Sequence, residues 1–401
     1  MKFLQDVTSD NKNVSLKKDI INYYVINGEN TLADLGREMN LSVPTVTKLV
    51  EELIEDGYVM DFGKQETAGG RRPSIYGLND SSGYFVGVDM RRFYVNLGII
   101  NFKGEMVDSQ LKVPFQMDHT RESFDRLCEI IEGFLNKTVV SRDKILSIGI
   151  NISGRVNTMS GHSFSFFYFD ERPITEIFEE RFGINVTVDN DSRAMAYGEF
   201  MKGCVNGEKN VLFINIGWGL GLGIIINGRL YYGKSGFSGE FGHMTTFDNE
   251  VICHCGKKGC LETEASGRYI LKKFLEKIAE GYSSSLTKKL EKNKSINHED
   301  IIHAALNGDI LAIELIEDVG NTLGKYIAGL INLLNPELVI VGGSVSNAGD
   351  YLFLPLRSAV KKYSLNLVSK DTSLKLSKLG DKAGMIGASL LTRSKIMGLI
   401  S

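Results

Sequence analysis

The sequence lacks the features of a secreted or membrane protein. Its five cysteines are an odd number spread over 401 residues, whereas disulfide frameworks belong to small secreted domains. No N-terminal stretch combines a positive start, an apolar run and a small-residue cleavage site, and no stretch approaches the roughly 20 apolar residues of a membrane-spanning helix. We therefore expect reduced thiols, no membrane partner and a cytoplasmic protein.

The sequence also lacks an excess of basic residues. Its 46 Lys and Arg residues against 49 Asp and Glu residues give a net charge of −3, so composition gives no global sign of a nucleic-acid partner. The hydrophobic fraction of 43% is enough for full hydrophobic cores, and the length predicts roughly two to three domains.

Three of the five cysteines cluster in one short stretch, ICHCGKKGCLE at 252–262. In a reducing compartment the pattern C-x-C-G-x-x-G-C favours a zinc site, because glycines allow the tight turns that point the sulfurs at one centre. As the fourth ligand we choose His243 in GEFGHMT, since His254 lies between two cysteines and should point away from their shared centre. The predicted ligands of one structural zinc per chain are His243, Cys253, Cys255 and Cys260. A loop of buried free thiols is the alternative.

The N-terminal residues predict a winged helix-turn-helix over residues 1–80. Apolar residues recur at helical spacing over 15–27, Thr31-Leu32-Ala33-Asp34 has the form of a capping box for a second helix ending near Asn40, and Ser42 can cap a third helix. The apolar stretches YVMDF and IYGL flank the polar loop GKQETAGGRRPS, as two strands around a wing would.

In such a fold the first residues of the third helix face base edges in the major groove, and the wing reaches phosphates or a minor groove. The predicted DNA contacts are Thr45, Thr47 and Lys48 on the helix and Arg71 and Arg72 on the wing. The domain is not basic, because residues 1–78 hold nine Lys and Arg residues against twelve Asp and Glu residues. Since motif matches carry false positives, a protein-interaction role of the helix-turn-helix is kept as the alternative.

From residue 81 onward the sequence predicts an α/β domain with two related halves. The segments YFVGVDMRRFYVNLGIIN (84–101) and VLFINIGWGLGLGIIING (211–228) each have the pattern strand, turn, strand. Alternating strands and helices accompany both. The turns at Asp89 to Arg92, at Gly217-Trp218-Gly219 and at Gly342-Gly343 are the places to look for a nucleotide, although turns use glycine in any case.

The chain as a whole resembles the repressor, open-reading-frame and kinase (ROK) family of sugar-responsive transcription factors and sugar kinases. The resemblance covers nearly the whole chain and is most specific in GEFGH followed by C-x-C-G-x-x-G-C-L-E. It implies an α/β fold class with a two-lobed, actin-like (ribonuclease-H-like) sugar-kinase-type domain over 81–401, with its zinc loop at 243–262. It also implies a homodimer or homotetramer.

The resemblance assigns ligand residues position by position. The family's zinc ligands fall on the four residues chosen above. Its sugar-binding positions match Gly154, Asn190, Asp191, Glu240, His243 and Glu262, and His243 would use one ring nitrogen for zinc and the other for a sugar hydroxyl. Asp191 takes the proton of the hydroxyl that is phosphorylated in the family's kinases. Because Asn190, Asp191 and Ser192 follow a strand and begin a helix, a helix N-cap is the alternative for them.

The sequence departs from the family's kinases on the phosphate side. The kinase turn Asp-x-Gly-x-Thr carries Arg91 and Phe93 here instead of glycine and threonine, and Trp218 replaces a small residue between two glycines. Both changes crowd the site, so we expect poor or absent ATP binding and no catalysis. The family's Pro-Asn-Leu stretch is FSFFYF here, residues 164–169. These aromatic residues would either stack on a sugar or pack in a buried strand.

The sequence therefore predicts a DNA-binding transcriptional regulator, a repressor that a sugar or sugar derivative releases from operator DNA. The alternative is an ATP-dependent sugar kinase with an accessory N-terminal domain.

Overall fold

A computed structural model describes residues 12–64, 73–292 and 294–400 of the chain. Its α-helices are α1 Lys12–Asn27, α2 Leu32–Glu38, α3 Val43–Glu55, α4 Arg121–Lys137, α5 Ile174–Phe182, α6 Asp191–Lys202, α7 Gly267–Ala279, α8 Thr287–Glu291, α9 His298–Leu306, α10 Ile310–Leu334, α11 Asp350–Tyr363, α12 Asn366–Asp371 and α13 Ala383–Ile396. No helix within these described ranges is both long enough and apolar enough to span a bilayer.

The strands form four sheets. They are β1 Asn30–Thr31, β2 Val59–Lys64, β3 Ser74–Leu78, β4 Tyr84–Met90, β5 Tyr94–Asn101, β6 Met106–Pro114, β7 Ile145–Ile152, β8 Val156–Asn157, β9 His162–Ser163, β10 Val186–Asn190, β11 Val211–Ile216, β12 Leu220–Ile226, β13 Arg229–Leu230, β14 Leu338–Gly342 and β15 Ser373–Leu376. The strand orders are β1-β3-β2, β10-β7-β4-β5-β6, β13-β12-β11-β14-β15 and β8-β9.

The chain divides into two compact units. Unit 1 contains the described parts of residues 1–151, 167–188 and 388–401, and unit 2 contains those of 152–166 and 189–387. The predicted domain boundary at residue 80 lies inside unit 1, between the end of β3 and the start of β4. The two predicted domains, 1–80 and 81–401, therefore stay a prediction.

The N-terminal elements have the predicted winged helix-turn-helix order. Local hydrogen bonds begin both short helices: the Asp34 N–H donates to Thr31 Oγ at 3.1 Å, and the Thr45 N–H donates to Ser42 Oγ at 3.3 Å. The apolar face of α3 is buried through Val46, Leu49, Val50 and Leu53. Strands β2 and β3 pair antiparallel, and the loop between them, which carries Arg71 and Arg72, lies outside the described residues.

The two five-stranded sheets repeat one topology, which confirms the predicted duplication. In unit 1, β4 pairs antiparallel with β5 and parallel with β7. In unit 2, β11 pairs antiparallel with β12 and parallel with β14. If the five strands of each sheet are numbered by their order along the chain, they lie side by side in both sheets in the order third, second, first, fourth, fifth. This arrangement confirms the predicted α/β fold class.

Helix α6 packs directly on strand β12, and this contact fixes the position of the start of the helix. A Cβ atom at Gly223 would come within 2.4 Å of the Ala196 side chain, and one at Gly221 within 2.1 Å of Ser192 Oγ. Only glycine at these strand positions permits that approach. The Asn215 side chain of β11 donates to Ser192 Oγ at 3.0 Å, so the first turn of α6 is fixed to the sheet.

Candidate effector site, metal centre and DNA-binding surface

The junction between β10 and α6 carries two of the predicted sugar-binding residues. Asn190 is the N-cap of α6, because its side-chain oxygen accepts from the N–H groups of Ser192 at 3.0 Å and Arg193 at 3.1 Å. Asp191 is the first residue of the helix, and its carboxylate accepts from Ser153 Oγ at 2.7 Å. The N-cap alternative therefore describes Asn190, whereas Asp191 keeps a half-buried carboxylate at a helix N-terminus, where negative charge is favoured.

Gly154 brings a second segment to the same place. Its carbonyl oxygen accepts from the Asn190 side-chain amide at 2.9 Å. Its φ of +86° favours glycine, and a Cβ atom there would lie 2.4 Å from Ser165 Oγ. Of the six predicted sugar-binding residues, Gly154 and Asn190 are therefore in direct contact, and Asp191 is linked to them through Ser153, the residue before Gly154.

Arg193 ties this junction to two further segments, although the sequence analysis did not single it out. Its guanidinium donates to Asp189 Oδ1 at 2.7 Å, to the Gly236 carbonyl at 2.7 Å and to the Val156 carbonyl at 3.3 Å. The Arg193 and Asp189 side chains are 3% and 4% exposed. A basic residue in the first turn of a helix is unfavourable because it opposes the helix dipole. Arg193 in that position, with Asp189 four residues earlier, is therefore a sequence pattern that could have indicated a buried ion pair.

Glu240 and His243 lie at the start of the predicted zinc loop. The Glu240 carboxylate is 3.8 Å from His243 Nε2, which is longer than a hydrogen bond. Burial raises the pKa of Glu240, and the neighbouring His243 and Arg155 oppose that shift. His243 Nδ1 lies on the other side of the ring, 3.6 Å from Cys253 Sγ. One ring nitrogen therefore faces the cysteines and the other faces Glu240, as the predicted double use requires.

Both carboxylate oxygens of Glu262 have polar partners within the protein. Oε1 lies 3.0 Å from His254 Nδ1, and Oε2 accepts from the Leu220 N–H at 2.8 Å. Burial acts to raise the pKa of Glu262, but the hydrogen bonds from His254 and Leu220 outweigh it and lower the pKa. His254 Nδ1 is also 3.7 Å from Cys253 Sγ. The expectation that the His254 side chain points away from the cysteines was therefore wrong, although His254 stays outside the four-residue cluster.

The four predicted zinc ligands come together in space. The ligand atoms of His243, Cys253, Cys255 and Cys260 all lie within 4.8 Å of one another. Cys255 Sγ and Cys260 Sγ are 3.6 Å apart, and tetrahedral zinc with ordinary Zn–S and Zn–N bonds places its ligands about 3.5 to 3.8 Å apart. The donor set therefore fits a structural zinc ion. The turns that bring it together use Gly256 and Gly259 at φ values of +86° and +71°.

The aromatic stretch 164–169 is not the buried strand that one alternative predicted. None of its residues belongs to a strand, since β9 ends at Ser163. Phe167 is buried against Phe124 in unit 1, with ring centroids 5.5 Å apart. Phe164 and Tyr168 are instead 48% and 55% exposed.

The turn at Asp89 in unit 1, where a kinase of this fold would meet phosphate, is closed by its own side chains. The Asp89 carboxylate is fully buried, and Arg91 Nε donates to it at 2.7 Å. Asn96 Nδ2 lies 3.4 Å from the same oxygen. The arginine that replaces the kinase glycine thus neutralises the aspartate within the turn.

The second predicted phosphate turn, Gly217-Trp218-Gly219 in unit 2, is also hydrogen-bonded to other parts of the protein. The N–H groups of Gly267 and Arg268, at the start of α7, donate to the carbonyls of Gly217 and Trp218 at 2.8 and 3.0 Å. Donors at a helix N-terminus are the usual site for a phosphate, but here they bind the turn itself. The Trp218 ring packs edge-on against the His298 ring, with centroids 5.8 Å apart.

His298 gives unit 2 a testable pH dependence. It is 3% exposed and hydrogen-bonds Ser344 Oγ through Nε2 at 2.7 Å. Burial lowers its pKa to about 4, and Glu299 and Asp300 only partly oppose this shift. Because an unfolded histidine titrates near 6.5, the unfolded state binds the proton first as pH falls. Unit 2 should therefore lose stability between pH 6.5 and 4, by ~2 kcal/mol at pH 5.

This dependence can be measured by urea unfolding followed through Trp218, the only tryptophan of the chain and a residue of unit 2. His298→Gln removes the titrating group and should flatten the loss between pH 7 and 5. Other groups titrate equally in both proteins. Equal pH slopes in the two proteins would contradict the low pKa of His298.

The candidate DNA-binding surface is the start of α3. Thr45 and Lys48 are exposed there, and Thr47 is half-buried, with its hydroxyl donating to the Val43 carbonyl at 2.8 Å. The Thr45 hydroxyl lies 2.7 Å from Ser42 Oγ. Thr45 and Lys48 are thus exposed at the start of a capped helix, although the hydroxyls of both Thr45 and Thr47 already have hydrogen-bond partners within the helix start.

Comparison with known proteins follows the same division of the chain. The ROK family profile matches residues 85–395, and a winged helix-turn-helix DNA-binding profile matches 15–60. The xylose repressor of Caldicellulosiruptor bescii is 30% identical over 366 residues, 90% of this chain and 91% of the repressor. A glucokinase of Halalkalibacterium halodurans is 32% identical over 319 residues, 79% of this chain and 96% of the kinase.

One solved structure matches nearly the whole chain. It is a ROK family transcriptional regulator, a homologue of the Escherichia coli MLC protein, with a TM-score of 0.78 and 29% identity over 96% of this chain and 98% of that one.

Proposed function

The chain belongs to the ROK family, and we propose that it is a sugar-responsive transcriptional repressor that binds operator DNA and releases it when a sugar occupies unit 2. The observation that carries this proposal is the combination of a capped helix α3 with an exposed start and a ROK domain, an arrangement that a xylose repressor matches over 90% of this chain. Acting on operator DNA places the protein in the cytoplasm, which is part of the same proposal.

DNA contacts come from α3 and the wing. Thr45, Thr47 and Lys48 read the major groove, and Arg71 and Arg72 contact phosphates or the minor groove. The protein acts as a homodimer or homotetramer, in which two copies of α3 reach half-sites roughly one helical turn or a multiple apart. Because the N-terminal residues carry more acidic than basic side chains, binding to DNA depends on the few basic side chains of this surface.

The effector is bound by hydroxyl acceptors and one ring nitrogen. Asn190, Asp191, Glu240 and Glu262 offer oxygen acceptors, and Gly154 keeps the segment opposite Asn190 close. A carboxylate oxygen can accept more than one hydrogen bond, so these carboxylates can accept from sugar hydroxyls while they keep the protein hydrogen bonds described above.

His243, Cys253, Cys255 and Cys260 hold one structural zinc. When bound, the metal supplies rigidity and not chemistry, because four protein ligands leave no open position. Through His243 and through Glu262, two residues after Cys260, the ligands orient the effector residues. Sugar binding then needs to favour the DNA-free state by about 1 to 3 kcal/mol to act as a switch.

The protein is not a kinase under this proposal. Asp191 serves as a hydroxyl acceptor, because the phosphate turns at Asp89 and Trp218 are closed by Arg91 and by the start of α7. The second candidate, an ATP-dependent sugar kinase, is favoured by the glucokinase match. ADP release with a sugar panel that disappears in Asp191→Asn would establish the kinase.

The test is selection of genomic fragments by the purified protein at near-physiological salt. We expect a repeated near-palindrome that binds at least about 1000-fold more tightly than a scrambled sequence and that a sugar releases. Lys48→Ala should weaken operator binding by ~1–3 kcal/mol. Lys288→Ala, which removes the same charge from an exposed position of unit 2, should leave it unchanged. Equal affinity for operator and scrambled DNA would refute the repressor proposal.

A further inference from the structure

Two aromatic side chains of unit 2 meet at the surface. The rings of Phe164 and Phe237 make a T-shaped contact, with centroids 5.7 Å apart and an interplanar angle of 80°. They are nevertheless 48% and 39% exposed. The His162 ring lies nearly parallel to Phe164 at 6.2 Å. Aromatic rings that are held in contact and remain accessible offer a flat apolar face on which a ligand ring can pack.

The segments that carry this aromatic pair are fixed by a buried cation. Arg193 donates to the carbonyl of Gly236, the residue before Phe237, and to the carbonyl of Val156, which opens the β8-β9 hairpin leading to Phe164. The same guanidinium is held by Asp189. One buried side chain therefore sets both aromatic segments against the start of α6, so the pair is preorganised.

The aromatic pair is continuous with the effector residues on both sides. The Phe164 N–H donates to the carbonyl of Arg155 at 2.9 Å, and Arg155 directly follows Gly154, whose carbonyl binds Asn190. On the other side, Phe237 stands three residues before Glu240. The aromatic pair is therefore carried by the same two segments that carry the effector residues Gly154 and Glu240.

We propose that this aromatic pair is a second sugar subsite and that the effector is a disaccharide or longer glycan. This inference rests on the proposed function, because it extends the same site. A pyranose ring presents an apolar C–H face that packs on an aromatic ring, while its hydroxyls need polar neighbours. The His162 ring supplies such a neighbour beside Phe164, and the exposed residue Arg155 is joined to Phe164 by a backbone hydrogen bond, which favours a sugar ring over a purely apolar partner.

The test is calorimetric titration of the intact protein with monosaccharides and their dimers: xylose and xylobiose, glucose with cellobiose and maltose, and N-acetylglucosamine with its β-1,4 dimer. At least one dimer should bind about tenfold more tightly than its monosaccharide, equivalent to about 1.4 kcal/mol. Phe164→Ala and Phe237→Ala should each reduce this ratio to near one and leave monosaccharide affinity unchanged. Phe164→Trp keeps an aromatic face and should retain the ratio.

Tyr168→Ala is the matched control. It removes another exposed aromatic side chain of the same stretch, one that stacks on His119 in unit 1 with centroids 3.9 Å apart, and it should leave the ratio unchanged. Equal affinities for monosaccharide and dimer, or a ratio insensitive to Phe164→Ala, would overturn the second subsite alone. Absence of binding by every sugar would overturn the proposed function and the subsite with it.

Discussion

Cys255→Ser should abolish zinc binding and the response to the effector while leaving the DNA-binding helices folded. The cysteine supplies one of four ligands that lie within 4.8 Å of one another. Changes to residues that merely support a metal ligand cost about 10- to 100-fold in affinity, so loss of a ligand should cost more than that. The unchanged protein should contain one zinc per chain, measured by plasma mass spectrometry after dialysis.

The effector response should fail together with the metal. Glu240 lies three residues before the segment 243–262, and Glu262 lies at its end. The backbone of this segment is held by turn hydrogen bonds and by the isolated bridges Thr245 with Cys260 and Ile252 with Lys258. Because four side chains that bind one ion would fix such an irregular loop, we expect its conformation to depend on the metal. Sugar-induced release of operator DNA should therefore be lost, while operator affinity without sugar stays within a few-fold.

Cys204→Ser is the matched control, because Cys204 is also half-buried and also in unit 2 but lies outside the cysteine cluster. It should keep zinc, stability and release. Unfolding followed through Trp218 should show a lower midpoint for Cys255→Ser alone. Full zinc occupancy in Cys255→Ser, or normal release by metal-free protein, would refute the structural role of the cluster.

The features that could be predicted from sequence are those with local causes. The starts of α2 and α3 follow from Thr31 and Ser42, whose hydroxyls bond N–H groups three residues ahead. The two related sheets follow from apolar strand pairs separated by tight turns, and the cysteine cluster follows from spacing and glycine. In each case the residue types and their spacing in a short stretch of sequence indicate the feature.

The features that escaped prediction depend on contacts between distant segments. Arg193 has acceptors at positions 156, 189 and 236, and of these only Asp189 is near it in the sequence. His254 turns toward Glu262 because that carboxylate, eight residues later, offers a stronger partner than solvent. The sequence also could not predict which residues of the aromatic stretch 164–169 are buried. Only the folded chain shows that Phe167 is buried and Phe164 is not.

The effector residues occupy an intermediate position between these two cases. Spacing and family resemblance nominated Gly154, Asn190 and Asp191, and the folded chain joins them by contacts that no pattern specifies. Their role in sugar binding stays a prediction. Arg71 and Arg72 lie outside the described residues, so their role on DNA is likewise a prediction.

Arg193→Met should destabilise unit 2 by ~3–5 kcal/mol, the usual cost of breaking a buried ion pair by removing one partner. The substitution removes the guanidinium from the Asp189 carboxylate, 4% exposed, which then has no charged partner in Arg193 although the Asn190 N–H at 2.7 Å and the Tyr232 hydroxyl at 3.2 Å still bond to it. It also leaves the carbonyls of Gly236 and Val156 without the guanidinium. Urea unfolding followed through Trp218 measures the effect, because that residue lies in unit 2.

Two further proteins separate the buried charge from the lost packing. Asp189→Asn combined with Arg193→Met removes both charges and should recover a substantial part of the stability, since the large cost comes from the unpaired carboxylate. Lys289→Met breaks a partly exposed pair with Asp300 at 2.8 Å and should cause a much smaller change. A loss no greater in Arg193→Met than in Lys289→Met would contradict the anchoring role of Arg193. The same variant should weaken sugar binding without touching a sugar, because Arg193 holds the segments of Gly154 and Phe237 in place.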